Sequence, residues 1–438
     1  MNMNSENHLK SINGFKSIYP DEWTKWQHVQ NIVEKTIESF GFERISAPSI
    51  ERRSLYEVKP PWSEGLISQT FSFFDNQKNY LTLIPEQTPT RARMVQELKK
   101  IELPIRWYDT SKRWRQEDKI KNDRAKEFWQ TDIDTIGRDT VEADAEILAC
   151  AANIYKNLGL GKEVEISIND RKLLENILFF AGVKSDDCYT AVKIVDDKEK
   201  ISKKEFYSRF EYIGLTNKQI ASIYKMISLN GSIINCLQKI KQVNKSVAKK
   251  SDQILKRFTQ LSEILKWYGI YDMCRLDLSI ARGSFYTGII FEVSDKNKKL
   301  GALSGGGRYD WLISMYGERD LPAIGFGFGY MGTMEKLKEC KLLNLPSKKP
   351  GIFVSCENPK KDYKMAIKLV NSLRKEGHVA EIDIREKPDN IEKFKIFILL
   401  KNNFYNNYMA EINIERKKNI IKIDDFYSFS KKLKTLQN

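Results

Sequence analysis

RWYDTSKRWRQEDKIKNDRAKEFWQTDIDTIG, residues 106–137, decides the fold of this 438-residue chain. It reads as two strands, Ile105 to Arg115 and Glu127 to Gly137, around a hydrophilic loop, Asp118 to Lys126. Arg115 and Glu117 stand two apart, so on a continued strand both side chains face the same side of the sheet. Arg124 follows on the loop, then Glu127, Phe128 and Gln130. An arginine offers a planar fork to phosphate or carboxylate, and an aromatic ring offers a platform to a nucleobase. Arg115 could hold a nucleotide α-phosphate and a substrate carboxylate together, Arg124 the terminal phosphates, and Phe128 could stack under adenine. The competing reading is a surface hairpin with a solvated, charged tip.

Upstream, Asp21 to Phe40 carries Trp23, Trp26, Val29, Ile32, Val33 and Ile37 at helical spacing. Pro20, Asp21 and Glu22 start that helix, Gly41 stops it, and Phe42 to Pro48 reads as an extended strand. Phe71 to Phe74 and Tyr80 to Ile84 resemble a hairpin across Asp75-Asn-Gln-Lys78. Strands joined by short connections favour an antiparallel sheet over repeated βαβ units. Ala143 to Leu158 is a helix, and from about Leu173 to Lys266 helical spacing takes over, with a lysine-rich stretch from Lys239 to Arg257. Strands return at Met273 to Ala281, Thr287 to Val293 and Leu300 to Ser304, followed by two glycine-rich runs, Gly305 to Tyr309 and Ala323 to Gly329. Leu345-Pro-Ser-Lys-Lys-Pro350 reads as a linker. Beyond it, Ile352 to Ser355, a helix from Tyr363 to Lys375, Val379 to Ile384, Ile396 to Leu400 and Glu411 to Ile414 form a small α/β domain. The expected class is α+β: an antiparallel sheet flanked by helices, a helical insertion and a C-terminal α/β domain.

Composition narrows the function. Lys+Arg 73 against Asp+Glu 58 leaves +15, and residues 341–438 hold 21 basic and 12 acidic residues, +9 of that total. A basic terminal domain points to nucleic-acid contact rather than background. No stretch approaches the ~20 apolar residues that cross a bilayer, and the polar start, Met1 to Lys10, is not a secretion signal. Six scattered cysteines without a CxxC pair argue against a disulfide scaffold or zinc ribbon and fit a reducing cytoplasm. Three histidines, none at ligand spacing, exclude histidine-based metal catalysis and a hydrolase that needs a histidine base.

A second stretch, LDLSIARGSFYTGIIFEV from Leu276 to Val293, sets Arg282 between two apolar runs. A buried arginine there needs an anion: either a ligand, or a structural partner in Asp277 or Glu292. The glycine runs would let backbone approach a ligand, but no Gly-Lys-Ser/Thr follows, so neither is a P-loop.

These segments together resemble one family. Phe42-Glu-Arg-Ile-Ser-Ala-Pro48 is similar to motif 1 of class II aminoacyl-tRNA synthetases, and Arg115-Gln-Glu117 through Glu127-Phe128-Trp-Gln130 is similar to motif 2. Ala281-Arg-Gly-Ser-Phe-Tyr-Thr-Gly288 resembles the segment that marks histidyl-tRNA synthetases within the class, and Pro85-Glu-Gln-Thr88 and Gly306-Gly-Arg-Tyr-Asp310 match the same family. The resemblance runs nearly end to end, from Gly14 onward. It implies catalytic segments 1–168 and 267–340, an insertion 169–266, a linker 341–350 and an anticodon-binding-like domain 351–438. It also implies ATP-dependent activation of L-histidine to histidyl-adenylate and transfer to tRNA(His) by a cytoplasmic homodimer. Mg²⁺ would accompany ATP without a dedicated protein metal site. By the resemblance, Arg115 and Arg282 clamp the α-phosphate and the histidine carboxylate, while Glu86, Gln87 and Thr88 hold the α-amino end with Gln130. Asp134, Phe285, Tyr286 and Tyr309 form the imidazole pocket. Glu117, Arg124 and Phe128 join Arg115 on ATP.

The chain departs from the family pattern in four places, one of them a motif 2 loop one residue longer than usual. Motif 3 normally ends in an arginine over the nucleotide, and here the stretch is Gly329-Tyr-Met-Gly332. The segment between Arg282 and Tyr286 is one residue short, and Ile384 to Phe394 leaves little room for a helix usual in the terminal domain. Two other readings stand beside that of a ligase: a catalytically impaired paralogue that senses histidine or uncharged tRNA, favoured by the missing arginine, and a synthetase-like regulatory subunit of histidine biosynthesis, a family that lacks the terminal domain present here from Pro350 to Leu433.

Overall fold

Ile105–Trp114 and Glu127–Ile136 form a long antiparallel pair in which Trp107 faces Asp134, Asp109 faces Asp132, Ser111 faces Gln130 and Arg113 faces Phe128. Residues directly opposite share a face, so one side of this hairpin gathers aspartates, arginines and amides. The other side presents Tyr108 and Ile133 to the apolar core. Two helices cover that apolar side. Pro20–Ser39 begins with proline in its first turn beside Asp21 and Glu22, which suit the positive helix end. Val141–Asn157 is capped by the Thr140 side chain accepting from the Ala143 N–H. The Tyr108 hydroxyl donates to Glu38 at 2.7 Å, tying the first helix to the hairpin.

The computed structural model describes residues 10–58, 62–117, 120–121, 123–282, 285–344, 351–382, 394, 396–402, 408–414, 417–423 and 425–436. They divide into two compact units, Met1–Asn344 and Leu345–Asn438. In the first, nine strands run in the order Glu43–Arg44, Ile105–Trp114, Glu127–Ile136, Ala323–Gly329, Ser304–Arg308, Ile289–Asp295, Val164–Asp170, Cys274–Asp277 and Asn230–Gly231. Neighbours are antiparallel except at Glu43–Arg44 with Ile105–Trp114 and at Val164–Asp170 with Cys274–Asp277. The stretch Phe42 to Pro48 thus gives only a two-residue strand, and it pairs in parallel. A separate three-stranded sheet holds the expected hairpin, Ser72–Phe74 with Tyr80–Leu83, next to Ile50–Arg52.

Both glycine runs form strands. Ser304–Arg308 takes the place of the expected Leu300 to Ser304, and Gly305 and Gly307 lie opposite Gly327 and Gly325. The reason is room on the polar face. An added Cβ at Gly305 would run into the Arg282 guanidinium, and at Gly327 it would meet the Gln130 amide at 2.8 Å. At Gly325 it would run into the Asp134 carboxylate. Glycine within a strand marks such close approaches.

Between Arg171 and Trp267 lie seven α-helices and one short 3-10 helix among the described residues, from Arg171–Phe180 to Asp252–Trp267. Their apolar faces (Leu173, Ile177, Phe206, Ile220, Ile240, Phe258) join the same hydrophobic core as the sheet, so this segment packs as part of the first unit.

The second unit has a sheet in the order Ala380–Ile382, Ile352–Cys356, Ile396–Asn402, Tyr408–Ile414 and Lys417–Ile423, parallel for its first three strands and antiparallel thereafter. Helices Pro359–Lys375 and Phe426–Leu436 supply Leu369, Leu373, Phe429 and Leu433 to a core with Ile352, Val354, Ile398 and Ile412. The last strand and last helix are additions to the expected elements. The linker, residues 345–350, and most of the shortened stretch between Ile384 and Phe394 lie outside the described residues, as do Gly283, Ser284, Asp118, Lys119 and Asn122.

Candidate active site

A cavity of about 450 Å³ opens on the polar face, floored by Gly305, Gly325 and Gly327. It gathers Glu86, Thr88, Arg115, Glu117, Arg124, Phe128, Gln130, Asp134, Arg282, Phe285, Tyr286 and Tyr309, residues spread over more than half the chain. Gln87 is not among them. It precedes helix Thr88–Glu97 and is fully buried beneath the cavity wall.

The strand ends at Trp114, so Arg115 and Glu117 are not strand neighbours; the Glu117 N–H turns back to the Arg115 carbonyl at 2.9 Å. Arg115 is fixed by three groups. Its Nε donates to the Pro85 carbonyl at 2.9 Å, its Nη2 to Glu86 Oε2 at 3.0 Å, and its guanidinium lies 5.2 Å from the Phe128 ring centre. Glu86 Oε1 accepts in turn from the Thr88 hydroxyl at 3.0 Å. Arg282 Nη1 donates to Glu292 at 2.9 Å, one of the two structural partners expected for it. Arg124 is the most exposed of the three arginines, 3.7 Å from Glu117. Each of the three cations lining the cavity thus has a carboxylate beside it.

At the deep end, Asp134 accepts from the Tyr309 hydroxyl and pairs with Arg91. Phe285 packs edge-on to Tyr309 and against Tyr286, with ring centres 6.4 and 4.3 Å apart. This end is walled by aromatics around one oriented carboxylate.

Beneath it runs an ionic network absent from the reading of the sequence. Arg91, 1% exposed, bonds Asp109 at 2.8 Å as well as Asp134, and Arg113, fully buried, bonds Asp132 at 2.6 Å and Asp109 at 3.3 Å. Asp132 also accepts from Gln130 Nε2 at 2.7 Å and lines the cavity. The alternation of Asp109, Arg113, Asp132 and Asp134 on two paired strands was the available signal. Arg91 had none, because its partners come from strands elsewhere in the sequence.

Burial pushes the Asp132 carboxyl from 3.8 up to about 6, against the Arg113 charge that lowers it; Glu86 and Asp109 add to the rise. A folded-state pKa above the unfolded one gives stability that is present below pH ~4 and lost as the pH rises through ~6. The urea midpoint of the wild type is therefore expected to fall, relative to that of Asp132→Asn, as the pH is raised from about 4 to about 7. A constant offset between the two curves would contradict this titration.

Gly332, where the family places an arginine, lines the cavity; an added Cβ there would meet Leu303 Cδ2 at 2.9 Å. Among the described residues, the cations lining the cavity are Arg115, Arg124 and Arg282. No cluster of three or more His, Cys, Asp or Glu that could hold a metal occurs among the described residues. Glu117 lines the cavity 3.7 Å from Arg124. One such carboxylate fits a Mg²⁺ whose other ligands are phosphate and water oxygens. A second cavity, about 490 Å³, shares Glu86, Thr88, Arg115, Arg282 and Phe285 with the first and is walled by Tyr189, Val192, Lys193 and Asp196 of helix Cys188–Asp196.

A mainly antiparallel sheet flanked by helices, with arginines converging over its polar face, is the fold of the class II aminoacyl-tRNA synthetases. Residues 14–331 match the histidyl-tRNA synthetase family profile. The histidine–tRNA ligase of Thermoplasma volcanium is 35% identical over 383 residues, covering 86% of each chain. That of Pyrococcus furiosus is 30% identical over 435 residues, covering 97% of this chain and 99% of its own. The crystal structure of histidyl-tRNA synthetase from Nostoc sp. PCC 7120 superposes with a TM-score of 0.77 at 19% identity over 98% of this chain and 99% of that one, a likeness of fold. The chain belongs to the histidyl-tRNA synthetase family, a family of aminoacyl-tRNA ligases. No helix among the described residues is long and apolar enough to cross a membrane.

Proposed function

We propose that the chain is a histidine–tRNA ligase that activates L-histidine with ATP and transfers it to tRNA(His), acting as a cytoplasmic homodimer. The observation that carries this reading is the meeting of Arg115 and Arg282, 167 positions apart, on one cavity. A histidine carboxylate oxygen attacks the ATP α-phosphorus, an acyl-phosphate bond forms, and the bond to pyrophosphate breaks. Negative charge on the non-bridging α-oxygens is stabilised by the two preorganised guanidinium groups. Glu86 and Thr88 hold the α-amino end with Gln130, Phe128 stacks on adenine, and Arg124 faces the outer phosphates. Mg²⁺, when bound with ATP, offsets phosphate charge. A hydroxyl of the terminal tRNA ribose, approaching from the side of the second cavity, which opens on the same arginines, then forms an ester with the histidyl carbonyl as the acyl-phosphate bond breaks and AMP leaves. Residues 351–438 are proposed as the tRNA-contacting terminal domain.

Specificity follows from the deep end. The carboxylate of Asp134, oriented by Tyr309 and Arg91, accepts from an imidazole N–H, and a side chain without that donor leaves a buried carboxylate oxygen unmatched. Tyr309→Phe removes one donor from Asp134. It is expected to raise the histidine KM by about 10- to 100-fold, the loss of roughly 1–3 kcal/mol, with little change in the ATP KM. Equal changes in both would remove Tyr309 from the imidazole pocket.

Gly332 favours a second reading, a paralogue that binds histidine or uncharged tRNA without activating it. Histidine-dependent ATP–pyrophosphate exchange separates the two: the ligase shows it and the sensor does not.

A further inference from the structure

Among the described residues lining the cavity, Arg282 is the single non-glycine residue with a positive φ, 44°. That conformation crowds Cβ of an L-residue against its own carbonyl, and it persists only where the surroundings hold it. Here it is held from both sides. The Arg282 N–H donates to Asp196 Oδ1 at 2.8 Å, and its carbonyl accepts from Arg171 Nη2 in a longer bond of 3.4 Å. Arg171 opens helix Arg171–Phe180, and Asp196 ends helix Cys188–Asp196. With its backbone so fixed, Arg282 lays its guanidinium over Gly305 and against Glu292. Asp196 lines the second cavity and does not line the first.

We propose that Asp196 is a positioning residue for Arg282: its carboxylate, by accepting the Arg282 N–H, holds the left-handed backbone that aims the guanidinium at the reacting phosphate. The helical segment therefore sets the geometry of the phosphate clamp from outside the cavity. This rests on the proposed role of Arg282. Asp196 is partly exposed and pairs with Lys200 at 3.5 Å on the surface; its charge also acts on Arg171 and Arg282, a contribution that Asp196→Asn removes while keeping the acceptor.

The test is histidine-dependent ATP–pyrophosphate exchange with the full chain. Asp196→Ala is expected to lower kcat by about 10- to 100-fold, the effect of misplacing a catalytic group by an ångström or so, with KM values and the unfolding midpoint little changed. Asp196→Asn keeps an oxygen acceptor at Oδ1 and is expected to restore kcat to within a few-fold of wild type. In an Arg282→Ala background, Asp196→Ala is expected to add nothing. The proposal is overturned if Asp196→Ala exchanges at the wild-type rate, if Asp196→Asn is as slow as Asp196→Ala, or if Asp196→Ala slows both backgrounds by the same factor. Wild-type exchange by Arg282→Ala alone would instead remove the clamp itself. Asp196→Ser, whose hydroxyl is too short to reach, replaces Asp196→Ala if the latter does not accumulate folded.

Discussion

Arg115→Ala and Arg282→Ala each lower histidine-dependent ATP–pyrophosphate exchange by about 10²–10³-fold, the loss usual for one preorganised group on a developing charge. The two guanidiniums reach the cavity by different routes. Arg115 stands just past a strand end and is oriented by the Pro85 carbonyl and Glu86; Arg282 is held on a left-handed backbone over a glycine. Neither loss should unfold the protein. Glu86 and Glu292, the carboxylates left behind, are 20% and 27% exposed and can be hydrated. The effect therefore falls on kcat, with the urea midpoint within a small margin of wild type. Lysine at either place is expected to restore little, because a point charge does not reproduce a planar fork. Exchange at the wild-type rate in Arg282→Ala would remove that residue from the reaction.

The largest expected effect on stability lies beneath the cavity. Arg91 is buried between Asp109 and Asp134, and Arg113 between Asp109 and Asp132. Removing one member of a buried ionic group leaves an uncompensated charge and costs about 3–5 kcal/mol. Arg91→Leu is thus expected to lower the stability of the first unit by that amount in urea unfolding, while Arg91→Lys recovers only part of it, since one ammonium does not bridge two carboxylates from fixed angles. Histidine binding should weaken as well, because Asp134 loses the partner that orients it. A loss below about 1 kcal/mol would show that the site collapses or hydrates without penalty, against the network's role as the support of the pocket.

Much of this was legible in the chain because the decisive features are local. Two ten-residue strands with Asp109, Ser111 and Arg113 on one and Gln130, Asp132 and Asp134 on the other at alternate positions announce a hairpin with one polar face. Arg282 between apolar runs announces a cation in need of an anion. The glycine runs were harder. Gly305, Gly325 and Gly327 look like loop residues, yet they are strand residues whose missing side chains make room for Arg282, Asp134 and Gln130. That requirement arises only once distant segments meet. Arg91 and Asp196 were invisible for the same reason: each acts on a partner 18 to 86 positions away. Arg115 and Glu117 were placed on a strand by alternation, but the chain turns after Trp114, where the Glu117 N–H bonds the Arg115 carbonyl. The last strand and helix of the second unit escaped because Lys417 to Leu436 mixes lysines among its apolar residues.

One measurement bears most directly on the chemistry: the crystal structure of the chain soaked with histidinol and ATP. The account predicts both guanidinium groups within hydrogen-bond distance of the α-phosphate oxygens, from opposite sides, with the imidazole N–H on Asp134. A triphosphate bound away from Arg115 and Arg282, or an imidazole ring outside the Tyr309 pocket, would contradict it.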